Sequence, residues 1–282
     1  MARTARSGAD NARTMIDRSF LFVPGNRHER FDKACASGAH AVILDLEDAV
    51  APPDKAAARA HIGAWLEAGG RAWLRINACD TEWHADDLPL LALPGVAGVL
   101  LPKAEDAERV RGVAGRLRPG VPLMPLVESA LGVWNAREVA AAADAVSRLA
   151  FGSIDFQLDT GILGDREELL YARSRLVLAS RVAGRLAPVD GVTTALDDEA
   201  VLAADVAAAR RLGFGGKLCI HPKQVGAVNA GFRPPAAELE WARRVVSAAR
   251  AAGANAVRVD GKMVDKPVLE RAQALLDAEG DG

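Results

Sequence analysis

The sequence predicts an α/β protein, a closed (β/α)₈ barrel with a C-terminal helical extension. Three observations lead there. Eight short apolar runs alternate with helical stretches from Arg18 onward. The runs are almost continuously apolar, as in parallel strands covered on both faces, rather than alternating like strands with one wet face. No glycine-rich G-x-G-x-x-G turn follows the first run, which counts against an open doubly wound sheet. Eight such units in about 215 residues suit a closed barrel.

Composition narrows the function classes. Of the 282 residues, 50% are hydrophobic and 26% charged, the balance of a packed globular chain. A net charge of -2 gives no global attraction to nucleic acid or anionic membrane, and there is no basic stripe or aromatic platform. Cys35, Cys79 and Cys219 are widely spaced and form no C-x-x-C pair. That argues against a zinc site or disulfide framework and points to a reducing cytoplasm. No apolar run approaches the roughly 18 to 20 residues a membrane span needs.

The chain then divides in order. Residues 1–17 carry Arg3, Arg6 and Arg13 but no apolar core, and Asp10 and Asp17 do not suit a transit peptide. They read as a flexible tail. The barrel is expected over residues 18–232. SFLFVPG is a strand stopped by Pro24-Gly25, followed by a helix from Arg27 to Ser37 with Gly38 as C-cap. AVILDLEDAV ends in Asp45, Glu47 and Asp48, and a helix runs from Pro53 to about Glu67. RAWLRINA, VAGVLLPK and PLMPLVES follow, then a helix from about Gly132 to Ala143, then RLAFGSID, APVDGV and GGKLCIHP. Residues 233–282 are surplus to a barrel. They read as an amphipathic helix begun by Pro234-Pro235, a short extended turn carrying Asp260 and Asp265, and a last helix from Pro267. An oligomer interface is the natural place for such a tail.

In a parallel barrel, chemistry collects at the C-terminal ends of the strands. Those ends read Pro24-Gly25, Asp45/Glu47/Asp48, Arg75/Asn77, Lys103, Glu128, Asp155, Asp190 and His221. Several acids beside an arginine and a lysine in one ring repel one another unless a cation and an anion sit among them. Glu128 and Asp155 are assigned as strand-end ligands of Mg²⁺, which favours hard oxygens and keeps positions for water or substrate. The competing reading makes them helix caps or partners of arginine. Glu47 and Asp48 are placed to hydrogen-bond metal-bound water; their alternative is an ion pair with Arg75 or a helix N-cap. Arg75 is positioned to fork onto a substrate carboxylate or carbonyl, with a structural pair to Glu47 as the alternative. Gly152 and Ser153 can offer backbone N–H groups to a substrate carboxylate at a helix N-terminus. His221 before Pro222 is read as a structural group over a base, Lys103 as a salt-bridge partner over a Schiff-base lysine, and Cys219 as core.

With these residues placed, the chain resembles the citrate lyase β-subunit-like (CitE-like) family of the HpcH/HpaI aldolase superfamily, which includes malyl-CoA and citramalyl-CoA lyases. RSFLFVPGNRHER, DLEDAV, LRIN, LPKAE, PLVESALG, FGSIDF, GFGGKLCIHPKQV and DGKMVDKPV carry the likeness in fixed order. The resemblance implies a cytoplasmic Mg²⁺-dependent lyase, commonly a homotrimer. It would cleave the C–C bond of a 3-hydroxyacyl-CoA, such as citramalyl-, malyl- or citryl-CoA, to acetyl-CoA and a 2-keto acid, or run the reverse condensation. It places Glu128 and Asp155 at the metal and Arg75 at the substrate. Asp265 falls where relatives supply a catalytic aspartate from a neighbouring subunit, so the tail is expected to pack there. His28 departs from a proline common in relatives, and Ser129 from a threonine. The alternatives are a metal-dependent aldolase on free keto acids, a thioester hydrolase, or a subunit that needs an acyl-carrier partner.

Overall fold

The structure is a computed structural model that describes residues 17–252 and 257–280. Apart from Asp17, the expected tail lies outside the described residues. The chain forms two compact units, Asp17–Phe232 and a second that holds the chain from Arg233 onward.

The first unit is the closed parallel barrel: β1 (Ser19–Pro24), β2 (Ala41–Asp45), β3 (Ala72–Arg75), β4 (Val96–Leu101), β5 (Leu123–Val127), β6 (Ala150–Phe151), β7 (Val189–Asp190) and β8 (Gly216–Cys219), in that order around the ring. β8 returns to β1 through the pairs Ser19–Lys217, Phe20–Leu218 and Leu21–Cys219. Every apolar run expected to be a strand is one.

Successive side chains point into and out of the barrel, so each strand feeds two cores. Phe20, Ile43, Trp73, Leu100, Met124, Leu126 and Leu218 fill the interior. Leu21, Leu44, Leu74, Val99, Leu123 and Val127 face the helices. Gly98 leaves room for the indole of Trp73, whose ring atoms lie 2.5 Å from where a Cβ would stand. The helix Lys55–Glu67 buries Ala58, Ile62 and Leu66, one stripe at four-residue spacing. No helix among the described residues is long and apolar enough to cross a membrane.

Two expected helices take a different form. The stretch after β1 is a 3₁₀ turn, His28–Arg30, followed by one short helix, Phe31–Cys35. The helix expected over 132–143 is two pieces, Ala130–Trp134 and Ala136–Ala140. The break falls at Asn135, whose side-chain amide donates to the Glu105 carbonyl at 2.9 Å while its own backbone leaves helical values.

The second unit has its own core of Ala242, Val245, Val246, Val259 and Ala272. Helices Ala236–Ala252 and Lys266–Gly280 flank an antiparallel hairpin of β9 (Val257–Val259) and β10 (Lys262–Val264). Asp260 and Gly261, both at positive φ, make the two-residue turn that an Asp-Gly pair favours.

Candidate active site

The site is built by strand register. β2 and β3 pair so that Asp45 lies beside Arg75. The Arg75 Nε donates to Asp45 Oδ1 at 2.7 Å and Nη2 to Oδ2 at 2.6 Å, a bidentate pair. Asp45 is fully buried and also accepts from the backbone N–H groups of Glu47 (2.9 Å) and Ala49 (3.1 Å), which fold the acidic loop back over the strand. This corrects the expectation of a fork open to substrate. The fork is committed to Asp45, and only Nη1 is left, 2.8 Å from Glu47 Oε2 and 3.5 Å from Asp48 Oδ2. The Phe22 ring lies under the guanidinium at 4.8 Å and fixes its plane.

β5 and β6 pair through Leu126–Ala150 and Val127–Phe151, which brings Glu128 against Gly152. A Cβ on Gly152 would stand 2.5 Å from both Cβ and Oε2 of Glu128, so only glycine lets that carboxylate lie where it does. The other oxygen, Oε1, accepts from the Lys103 backbone N–H at 2.8 Å. Lys103 reaches that position at φ 47°, a left-handed backbone that non-glycine residues rarely adopt. Asp155 is not a strand-end residue as expected. It lies in the first turn of the helix Ser153–Thr160, where aspartate suits the positive end of the dipole. Gly152 is that helix's N-cap and Ser153 its first residue.

The acids of this ring are held above their ordinary values by burial and by one another. Burial pushes the Glu128 carboxyl up to about 8, and Asp155 adds to the effect. Burial raises Asp155 too, with repulsion from Asp48 next. Glu47 is raised by burial against the pull of Arg75. Its Oε2 is near Arg75 but not at a hydrogen-bonding angle, and it is left as a buried acceptor without a partner. An orphaned acceptor beside a buried and a half-buried acid, with a glycine cradle for the buried one, fits a divalent cation and its water shell. Among the described residues no group of three or more His, Cys, Asp or Glu side chains could hold a metal. Glu128 and Asp155 are the two side chains here that could hold such a cation, and water or substrate oxygens would have to complete its shell.

Arg75, Glu128, Gly152, Ser153 and Asp155 line one cavity of about 180 Å³ together with Asp45. Glu47 and Asp48 line an adjoining cavity of about 290 Å³ with Lys55, Asn77, Trp83 and Lys103. Sequence reasoning passed over the frame of this second cavity. The buried Lys55 donates to the carbonyls of Leu46 (2.8 Å) and Glu47 (3.0 Å) and to Asn77 Oδ1 (2.7 Å). Asn77 in turn donates from its backbone and side chain to buried Asp87 at 2.8 and 2.7 Å. These partners are far apart in the chain, and no local pattern joins them.

The remaining strand-end groups divide cleanly. The Lys103 ammonium forms no ion pair within 4 Å among those described, contrary to the expected salt bridge. Burial alone would lower its pKa, but Glu47, Glu128 and Asp155 outweigh that and hold it above its ordinary value, unlike a Schiff-base lysine. His221 is structural, as expected: its Nδ1 accepts from the Lys223 backbone N–H at 3.1 Å as the N-cap of Pro222–Gly231. Cys219 is fully buried and its thiol is pushed up to about 12 by burial. Asp265 lies in the second unit, where it caps the last helix by accepting from the Val268 N–H at 3.1 Å.

A barrel with paired acids at its mouth matches a known family model, HpcH/HpaI aldolase/citrate lyase, over residues 18–222. The chain belongs to this family. Among curated HpcH/HpaI relatives it is 40% identical to a citrate lyase subunit beta-like protein of Deinococcus radiodurans, over 95% of this chain and 99% of that one. It is 38% identical to a (3S)-malyl-CoA thioesterase of Cereibacter sphaeroides, over 93% and 94%. A solved structure of CitE from Mycobacterium tuberculosis, in complex with magnesium, acetoacetate and coenzyme A, superposes with a TM-score of 0.83 at 36% identity, over 94% of this chain and 98% of that one. Another M. tuberculosis citrate lyase β-subunit structure, complexed with oxaloacetate and magnesium, gives 0.68 at 35% identity, over 78% and 98%.

Proposed function

We propose that the chain is a Mg²⁺-dependent carbon–carbon lyase that cleaves a 3-hydroxyacyl-CoA, such as citramalyl-, malyl- or citryl-CoA, to acetyl-CoA and a 2-keto acid, or runs the reverse condensation. The observation that carries this reading is the pair of acids, buried Glu128 and half-buried Asp155, beside the orphaned Glu47 oxygen and one arginine. Magnesium in the related CitE structures supports the choice of cation.

Held by Glu128 and Asp155, Mg²⁺ would supply Lewis acidity toward the substrate's hydroxyl and carboxylate oxygens. Arg75 Nη1, fixed by Asp45, offers one charged N–H to an oxygen that gains negative charge as the bond breaks. Glu47 and Asp48 accept hydrogen bonds at the rim and orient water there. Gly152 and Ser153 open a helix whose N-terminus faces the substrate anion. Lys103 and Trp83 line the adjoining cavity, assigned here to the thioester half. Asp265 is the acid/base at the thioester α-carbon and is supplied by a neighbouring copy in a homo-oligomer, a trimer by family resemblance. Residues 233–282 then serve as the extension that delivers it.

A second reading, thioester hydrolysis, rests on the relatives named as malyl-CoA thioesterases. One assay separates the two. Purified chain is given citramalyl-, malyl- and citryl-CoA, with Mg²⁺ and with chelator, and both acetyl-CoA and free CoA are followed. Metal-dependent acetyl-CoA supports the lyase, and free CoA alone supports the hydrolase. Neither product, from folded and Mg²⁺-binding protein, overturns both.

A further inference from the structure

We propose that Lys55 is a positioning residue of the candidate metal site: it pins both peptide groups that flank Glu47 and so sets where the free oxygen of that side chain stands. The inference rests on the proposed Mg²⁺ site and goes beyond it by giving a part to a residue outside the ring of acids.

Lys55 begins the helix Lys55–Glu67, yet the residue is only 4% exposed. Its ammonium lies 4.7 Å over the Trp83 ring and donates to the carbonyls of Leu46 and Glu47 and to Asn77 Oδ1. All three acceptors are neutral. Burial holds the Lys55 pKa below the ordinary lysine value, against the opposing pull of Asp45, Glu47, Asp87 and Asp48. An apolar side chain of similar size would fill this space without the cost of taking a charge out of water. What the ammonium adds is a fixed point with three bonds.

Two peptide groups meet at the Glu47 Cα, and Lys55 reaches both. The Leu46–Glu47 peptide is held through its carbonyl by Lys55 at 2.8 Å and through its N–H by Asp45 at 2.9 Å. The carbonyl of the Glu47–Asp48 peptide accepts from Lys55 at 3.0 Å and from the Val50 N–H at 3.0 Å. With both peptides fixed, the Glu47 side chain is left with its own rotamers alone. Lys55 is itself held. Asn77 is bound to buried Asp87 through its backbone N–H and its side-chain amide, and Asp87 Oδ1 accepts from Arg59 Nε at 2.8 Å. Arg59 lies one turn after Lys55 on the same helix. The bonds therefore close a ring from the helix through Lys55, Asn77, Asp87 and Arg59 back to the helix. In such a network each bond supports the others. Glu47 Oε2 is the buried acceptor left without a hydrogen-bond partner. In the proposed site it accepts from water on the cation, and a displaced acceptor orients that water poorly.

The charge of Lys55 and its hydrogen bonds make opposite predictions. A positive charge near the ring repels Mg²⁺, so a Lys55 that acted by charge alone would, once replaced in Lys55→Met, leave tighter binding. A positioning role predicts weaker binding. Calorimetric titration of the full chain with Mg²⁺, below the melting temperature of each variant, is expected to show Lys55→Met about 10-fold weaker than wild type. In a Glu47→Ala background the same substitution should change affinity by less than about 2-fold, because the group it positions is gone. Lys55→Arg keeps the charge and carries the test if the methionine variant does not fold. Its planar fork cannot serve three acceptors grouped around one nitrogen, so its affinity should fall in the same direction. Equal or tighter binding by Lys55→Met, wild-type affinity in Lys55→Arg, or an equal loss with and without Glu47 overturns the positioning role and leaves the metal site standing. A wild-type chain that binds no Mg²⁺ overturns the metal site and this inference with it.

Discussion

At the scale of single residues, Glu128 concentrates the argument. Its carboxylate is buried, held by one backbone N–H from a strained Lys103, and pressed against a residue that can only be glycine. Gly152→Ala places a methyl 2.5 Å from the carboxylate and forces Glu128 aside. A ligand displaced by even a fraction of an ångström is a poorer ligand, so Mg²⁺ affinity is expected to fall about 10- to 100-fold, on the scale of lost supporting contacts around a metal. Calorimetric titration with Mg²⁺ checks this, and unchanged affinity means that Glu128 is not a ligand. Glu128→Gln separates binding from stability in one protein. With its pKa raised to about 8 the metal-free carboxyl is mostly protonated at pH 7, and the amide mimics that neutral form, so the metal-free variant is expected to melt no lower than wild type at pH 7 while binding no Mg²⁺. A variant that melts well below wild type would show that the carboxylate is structural.

At the scale of elements, strand register decides which distant residues meet. The position of Asp45 after an apolar run is visible in the sequence, and so is that of Arg75 in LRIN. Their bidentate pairing is not, because it depends on β2 and β3 aligning residues 30 apart. Eight strands and the acids at their ends were legible because apolar runs and helical stretches are local signals. Lys55, Asn77 and Asp87 were not, because each gains meaning only from partners on other elements. Asp155 was misplaced by a few residues, since FGSIDF reads as strand until Gly152 starts a helix. The same register sets Asp190 beside Lys217, where Lys217 Nζ and Arg173 Nε reach it at 3.2 and 2.9 Å. Burial works against the ionised Asp190, but the two cations prevail and hold its pKa below 3.8. A depressed folded-state pKa contributes stability that is complete above the unfolded value and is lost as pH falls through the folded one. Acid unfolding should therefore include a limb below about pH 3.8 that Asp190→Asn abolishes. That variant is expected to lose about 3–5 kcal/mol at pH 7, because it leaves buried cations unpaired. Chemical denaturation at pH 7 and pH 3 reads both effects. His221→Ala offers the opposite profile: it removes an N-cap worth about 1 kcal/mol and should leave kcat/KM within a few-fold. A collapse of kcat with stability intact would make His221 a base after all.

At the scale of the whole molecule, the question is where the second unit acts. It has its own core and a hairpin fixed by the Asp260-Gly261 turn, and Asp265 stands exposed at the start of its last helix. An exposed capping aspartate contributes roughly 1 kcal/mol to its own helix and nothing more unless it meets a substrate. The proposed assignment gives it a partner on another copy of the chain, and that makes two inactive variants complementary. Asp265→Ala should retain Mg²⁺ and keto-acid binding while kcat falls about 100- to 10,000-fold, the usual share of a general acid/base. Glu128→Gln should lose the metal but keep its own Asp265. Mixed and reassembled in equal amounts, the two should recover about a quarter of wild-type activity, because each site draws its two halves from different chains of a cyclic assembly. If Asp265 served its own barrel, every mixed assembly would still pair each defect with itself, and no activity would return. Recovery would place the aspartate across an interface; its absence, in oligomers shown to have exchanged subunits, would return Asp265 to its own chain.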